Sequence, residues 1–440
     1  MITIFCPRSN ATGGTELLHQ LGYKLNLFGF DASMYYYGED TGLPSVHPHF
    51  IKYNVPVVES VSDSADNIFV YPEMMVSALS EIKEQLPSSK HILWWLSVDN
   101  ANMTQEMEHI ISNDSGLIHF VQSYYALDYV KNSLNINDDR LFYLSDYLNS
   151  VYLNMDCEEK NSRDDTVLFN PRKGYERTSR LIKHSDHRVK WQALSGMAPE
   201  EIPGVLQKAK VYIDFGNHPG KDRFPREAVS CGLRIITGRK GAAANDKDIP
   251  IPDELKVSDE CEDAKILDMI YGLVVNYEKT GELYSPYKRS IDEEFHIFER
   301  DVLNTFSLIM HKSIKWIDQD ESLLRKTIVD LVTREDYKTA FYANTVYRMK
   351  GYAEDEVMTI LEGYIRIGLG EEQETLYLMN RLLNSNESSY EAYLIKAQAL
   401  MALNMKEASD SLNSAEEYSV GTEDEEYVRQ TVNRLREGLK

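Results

Sequence analysis

Cysteine is scarce: Cys6, Cys157, Cys231 and Cys261 are the only four in 440 residues, and none forms a CxxC pair. That excludes a disulfide framework and a zinc ribbon, and leaves reduced structural thiols as the default reading. Long apolar runs are missing too. None approaches the ~20 residues a membrane-spanning helix requires, and no basic, apolar leader opens the sequence, so a cytoplasmic protein without a transmembrane segment is predicted. Positive charge is in short supply, with 47 Lys and Arg against 70 Asp and Glu and a net charge of −23. Such a balance argues against nucleic acid as a partner and against broad adhesion to anionic lipid. There is no GxGxxG with its acidic partner, which disfavours a nucleotide-dependent dehydrogenase. No DxD-type metal motif flanked by strands is present either, and no metal is expected.

What is present is β/α alternation over a length suited to two or three domains. Residues 1–6 read as a first strand, followed by a polar loop and Gly13-Gly14-Thr15-Glu16 at the head of an amphipathic helix with Leu17, Leu18, Leu21 and Leu25 on one face. The glycine pair serves either as a tight turn or as a place where backbone approaches a ligand. Strands are expected at 33–37, 57–61, 67–71, 91–96, 117–122 and 142–144, with helices at 73–85, 104–112 and 124–134. Ser97-Val98-Asp99-Asn100 puts polar residues at a strand's carboxyl end. Asp99 there is either a helix cap or a proton acceptor. His119, inside a strand, reads as a hydrogen-bonded core histidine.

An acidic, aperiodic stretch at 155–165 reads as a linker, and a second α/β half begins after it. Strand 166–169 leads to Asn170-Pro171-Arg172-Lys173-Gly174 and a helix at 175–184. The basic pair is a solvated turn or a cradle for pyrophosphate, to which an Arg fork and a Lys point charge are both suited. After a strand at 189–193 and a helix beginning near 196–201 comes the densest stretch. Strand 211–215 runs into Gly216-Asn217-His218-Pro219-Gly220, then Lys221 and Arg223 around Asp222. Pro225 is placed to open a helix over 226–231 that Gly232 ends. Strand 233–237 and a second glycine-bearing loop, 238–248, follow. Two cations before a helix N-terminus favour an anionic ligand. Glu227 either caps its own helix or accepts from sugar or ribose hydroxyls.

Pro225-Arg226-Glu227-Ala228, with Cys231-Gly232 and the strand behind it, resembles the donor-binding segment of GT-B glycosyltransferases of the retaining, nucleotide-sugar-dependent family 4 type. That family carries two glutamates separated by seven residues. Glu227 matches the second, while the first falls on Pro219, leaving His218, Lys221 or Asp222 to replace it. The resemblance implies two Rossmann-like domains, 1–155 on the acceptor side and 156–317 on the donor side. In it Arg172 and Lys173, aided by Lys221, Arg223 and Arg226, meet the diphosphate, Glu227 holds the donor, and Gly13 and Gly14 face the cleft. It implies a glycan or lipid-linked acceptor, retention of configuration, work at the inner membrane face where glycan precursors are built, and no cofactor beyond the nucleotide-sugar donor. A helix over 291–314 and the loop 238–248 are expected to pack on the N-terminal domain and to close over the donor.

From about residue 318 the character changes: proline is absent and apolar residues recur at helical spacing. Helices at 336–350, 356–367 and 372–383, then a helix pair within 388–419, resemble tetratricopeptide repeats of about 34 residues. Stacked helix pairs of this type bind a protein partner or self-associate. The fold class expected is therefore α/β with an all-α extension at 318–440. Two rivals to a transferase stay open: a sugar-nucleotide epimerase of the same fold, and a catalytically silent scaffold acting through the helical tail.

Overall fold

The computed structural model describes residues 1–39, 42–154 and 163–438. They form two compact units, 1–302 and 303–440. The first unit opens with β1 (Ile2–Pro7), α1 (Gly13–Leu27), β2 (Ala32–Tyr37), β3 (Ile68–Pro72), α2 (Leu79–Gln85) and β4 (Lys90–Trp95). It continues with α3 (Gln105–Asn113), β5 (Leu117–Val121), α4 (Tyr124–Asp128) and β6 (Leu141–Tyr143). These six strands are parallel, in the order β2-β1-β3-β4-β5-β6. Covered on both faces, they read as continuous apolar runs; Trp94, Trp95, Phe69 and Tyr71 are fully buried. A reciprocal cap fixes the start of α1, with Thr12 N–H donating to Thr15 Oγ1 (2.8 Å) and Thr15 N–H to Thr12 Oγ1 (3.2 Å).

A second parallel sheet, β11-β10-β9-β7-β8, takes β7 (Asp164–Phe169), β8 (Lys190–Ala193), β9 (Ala209–Asp214), β10 (Arg234–Gly238) and β11 (Lys256–Val257). Its helices are α5 (Tyr175–His184), α6 (Ile202–Lys208), α7 (Arg223–Ser230), α8 (Asp263–Val275) and α9 (Ser285–Asp292), and α10 (Glu294–Ile309) follows. Both sheets reverse strand order once, between β1 and β3 and between β7 and β9. In open α/β sheets such switch points, at the carboxyl ends of the strands, are where ligands bind.

Several elements depart from the sequence expectations. The strand expected at 57–61 is a single bridge, Met34 to Val57; Pro56 has no N–H to extend the ladder along β2. The helix expected at 73–85 is a 3-10 turn, Glu73–Ala78, before α2, and the one at 124–134 passes after Asp128 into a π turn, Tyr129–Ser133. α7 starts at Arg223, so Pro225 occupies its third position, where a backbone donor is still superfluous. Gly232 does adopt the left-handed conformation just past its end (φ 84°). The long helix of 291–314 is two helices, parted at Glu293. Residues 155–162 of the expected linker lie outside the described residues, and β7 already includes Asp164.

In the second unit, α11 (Glu321–Thr333), α12 (Tyr337–Met349), α13 (Glu356–Gly368), α14 (Glu372–Ser385), α15 (Tyr390–Ala402), α16 (Ala408–Ser419) and α17 (Glu425–Gly438) follow one another without a strand among the described residues. Each packs on the next, and α13 also touches α11 and α15. Ala392, Ile395, Ala397, Ala408, Leu412 and Ala415 are fully buried, small residues letting neighbouring helices approach. The odd-numbered helices begin at 321, 356 and 390, a recurrence of about 34–35 residues.

Candidate active site

A cavity of about 610 Å³ lies between the carboxyl edges of the two sheets. Its walls come from the loops after β1, β3, β4, β5 and β6 on one side and after β7 and β9 on the other. Both switch points therefore open into it.

On the first side Gly13 and Gly14 line the cavity. A Cβ on Gly13 would come within 2.8 Å of Arg223 Cδ, so the missing side chain lets the start of α1 meet the start of α7. Glu73, just past β3, is buried and accepts from the Leu96 N–H at 3.1 Å. Burial pushes its carboxyl up to about 7 against the pull of backbone N–H groups. Asp99 is exposed and is not on the cavity wall; it accepts from the side chain of Asn217 and from Tyr125 Oη at 3.4 Å.

On the second side Asn170 Oδ1 accepts from the Arg172 N–H (3.0 Å) and shapes the loop after β7. Lys173 reaches the cavity and pairs with Asp222. Arg172 is exposed, off the wall, and its guanidinium meets no carboxylate among the described residues. Gly174 has φ 59° and would place a Cβ 2.5 Å from the Phe215 carbonyl carbon, which packs this loop against the one after β9.

That second loop is built on charge. His218 is fully buried, with Nδ1 2.8 Å from Asp222 and Nε2 3.6 Å from Asp214. The two carboxylates are the groups that face the buried ring nitrogens. Burial opposes the imidazolium, but the two carboxylates prevail and raise it to about 9. The loop reaches the other half through the Pro219 carbonyl, which accepts from Val98 N–H at 2.7 Å. Gly220 has no room for a side chain, since a Cβ would sit 2.1 Å from the Leu96 carbonyl oxygen.

The cations at the head of α7 are engaged. Arg223 lies on the wall and pairs with Glu16 at 2.6 Å and Glu227 at 3.4 Å. Glu16 also accepts from Tyr53 Oη (2.8 Å). Its burial is outweighed by Arg223 and Lys52, which hold its carboxyl below the usual range. Glu227 is buried and off the wall; there burial prevails over Arg223 and Arg226 and raises its carboxyl. Arg226 is fully buried, held by Asp146 at 2.9 and 2.6 Å and by Glu294 at 2.9 Å. Lys221, on the wall, meets Glu294 at 2.8 Å and Ser145 Oγ at 3.0 Å. The loop 238–248 docks on the N-terminal side rather than lining the cavity: Asp248 accepts from the Tyr124 and Tyr125 N–H groups, both at 2.8 Å, and so caps α4.

Gly13 and Gly14 on one side and Lys173, Lys221 and Arg223 on the other thus line one cavity. His218, Arg226 and Glu227 are buried off that wall, and Asp99 and Arg172 are exposed beyond it. Sequence reasoning missed Glu16, Glu73 and Asp146. Glu73 carries the one signal that could have found it, its place as first residue beyond a strand's carboxyl end.

No protein-family model matches the sequence, and none of the curated proteins matches it. Among solved structures, a glycosyltransferase from Rickettsia africae ESF-5 superposes at a TM-score of 0.54 and 13% identity, over 71% of this chain and 99% of that one. The α/β unit has the GT-B fold. A sucrose-phosphate synthase from Thermosynechococcus elongatus gives a TM-score of 0.50 at 12% identity, over 70% of this chain and 98% of its own. The likeness is one of fold. Two sheets facing one another across a cavity at their switch points are what a GT-B architecture requires, and the helical unit is an addition to it.

Proposed function

We propose that the protein is a glycosyltransferase that moves a sugar from a nucleotide-diphosphate donor to a hydroxyl acceptor. The observation that carries this reading is the convergence of Gly13, Gly14, Lys173, Lys221 and Arg223 on a cavity between two switch points. In this reading the diphosphate lies at the head of α7, where exposed N–H groups and the helix dipole add to the cations. Preorganised positive charge at the leaving group lowers the barrier to its departure, and the wall supplies it without an obligatory metal. Lys173 exchanges Asp222 for phosphate, and His218 keeps Asp222 compensated when it does. Arg172 is the nearby cation free to swing onto the donor. Glu227, buried behind the wall, holds Arg223 in place for the donor; Asp99, exposed beyond the wall, belongs to the acceptor side. Retention of configuration, a glycan or lipid-linked acceptor, and polysaccharide or glycoconjugate synthesis near the inner membrane face complete the proposal. The helical unit, read as tetratricopeptide-like, recruits a protein partner or a second copy.

Thermal-shift screening of the purified chain against UDP-, GDP-, dTDP- and CMP-sugars tests it. One nucleotide should raise the melting temperature, and Arg172→Ala combined with Lys173→Ala should remove that shift. A flat response across the whole panel would overturn the transferase reading and turn attention to the helical unit.

A further inference from the structure

The charged groups that line the cavity are already engaged within the protein. Lys173 meets Asp222, Lys221 meets Glu294, Arg223 meets Glu16, and Asp214 faces His218. Asp146 is held by Arg226, and Glu73 accepts from the Leu96 N–H. The neutral polar groups are not engaged. Gln122, just past β5, lines the cavity and is only 5% exposed, yet its side-chain amide bonds to nothing among the described residues. Neither amide atom is sealed from solvent, so the group opens into the cavity. An amide held this far inside without a protein partner is costly to folding and suits a ligand. Ser97 and Asn100, beyond the end of β4, and Asn10, in the loop after β1, line the same cavity with side chains equally uncommitted among the described residues. Met74, which is 58% exposed, and Leu96 add apolar surface beside them. Gln122 also abuts the loop after β9: its Oε1 lies 3.3 Å from where a Cβ of Gly220 would stand, one residue before Lys221.

From this juxtaposition we infer that Gln122, with Ser97, Asn100 and Asn10, reads the hydroxyls of an uncharged sugar, so that the acceptor is a neutral saccharide rather than a group bearing phosphate or carboxylate. The inference rests on the transferase reading above and narrows its acceptor. An amide offers a donor and an acceptor side by side, as sugar hydroxyls do. A sugar ring also has an apolar C–H face, for which Met74 and Leu96 are suited; binding pockets commonly combine apolar walls with a few fixed polar groups in this way. Charge points the same way. Once a diphosphate occupies Lys173, Lys221 and Arg223, no cation on the wall is left for a second anion, and Asp146 and Asp214 repel one. The place of Gln122 beside Gly220 keeps the acceptor next to the leaving group, the side from which a retaining transfer takes its hydroxyl.

The test uses the full chain and whichever of the UDP-, GDP-, dTDP- or CMP-sugars stabilises it, with nucleotide release as the readout. Methyl glycosides of glucose, galactose, mannose and N-acetylglucosamine are the neutral probes; glycerol 3-phosphate and methyl glucuronide are the anionic ones. A neutral glycoside should speed release above the rate in water alone, and neither anion should. For that glycoside Gln122→Ala should raise KM about tenfold, the scale of one or two neutral hydrogen bonds, with kcat within about threefold and the thermal shift by the donor retained. Asn100→Ala, at an exposed position, should raise KM about threefold, and it decides the matter if the Gln122 variant folds poorly. Acceleration by either anion would overturn the neutral class of acceptor. An unchanged KM in both variants would overturn the role of the amides. Donor binding with no acceleration by any probe would overturn the subsite and leave the donor reading standing. Failure of the wild type to bind any nucleotide sugar would sink the transferase reading first, and this inference with it.

Discussion

Each unit of the protein buries an arginine, and the two do so by different means. Arg226 in the α/β unit is fully buried, and its carboxylate partners lie 80 and 68 residues away in sequence. Arg366 in the helical unit is as deeply buried, but its partners, Glu362 and Glu371, are four and five residues away. The first clasp joins the loop after β6, the head of α7 and the start of α10, and one of its acids lines the cavity. The second joins residues of one helix and the turn after it, with Arg348 adding a contact to Glu362. A long-range clasp ties segments whose relative placement makes the site, whereas a local one shapes an element that its own sequence already favours. Position relative to the switch points, more than burial, separates the charge that lines the cavity from the charge that does not.

The largest effect should come from breaking the long-range clasp. Arg226→Ala leaves Asp146 and Glu294 buried without their guanidinium, and should destabilise the α/β unit by about 5 kcal/mol, the upper end for a broken buried pair. Urea unfolding combined with hydrogen exchange should locate the loss within 1–302. Arg366→Ala should cost less, about 3 kcal/mol, because Glu362 and Glu371 lie in the same helix and the turn after it rather than in distant segments; exchange protection should fall in α13 and α14. Equal losses for the two variants would remove the distinction between the clasps.

A third buried cation sharpens the comparison through pH. The imidazole of His218 is raised to about 9 by Asp214 and Asp222, above its value in an unfolded chain. Its contribution is therefore complete below about pH 6.5 and lost as the pH rises through 9, on the order of 2–3 kcal/mol across that window. Unfolding free energies of wild type and His218→Gln, measured from pH 6 to 9.5, should converge toward the alkaline end. A parallel offset at every pH would mean that His218 stays neutral in the fold.

Much of this architecture is legible in the sequence because its signals are local. β-Branched and aromatic runs mark β1, β4, β5 and β9, and Gly232 marks the end of α7 where its left-handed backbone requires it. Gly13, Gly14, Lys173, Lys221 and Arg223 could be picked out because each sits in the loop after a strand's carboxyl end or in the first turn of the helix that follows. What failed was whatever depends on a distant partner. Residues 57–61 look like a strand and form one bridge, because Pro56 and a sheet edge limit their pairing. Arg226 sits in a motif that suggests ligand contact, yet its guanidinium is spent on Asp146 and Glu294. Glu73 looks like an ordinary first-turn acid, and only the packing of β3 against β4 buries it beneath Leu96.

By itself, then, the sequence determined the alternation of strands and helices, the change to an all-helical region after the α/β region, and the loops that carry cations and glycines. Those follow from backbone propensity, hydrophobic period and turn chemistry, all expressed within a few residues. The tertiary structure decided which charges are paired, which face the cavity, and which single carboxylate there is left without a cation among the described residues. Ion pairing and desolvation depend on distances between segments up to 275 residues apart, as between Lys24 and Glu299, and no local pattern encodes those distances.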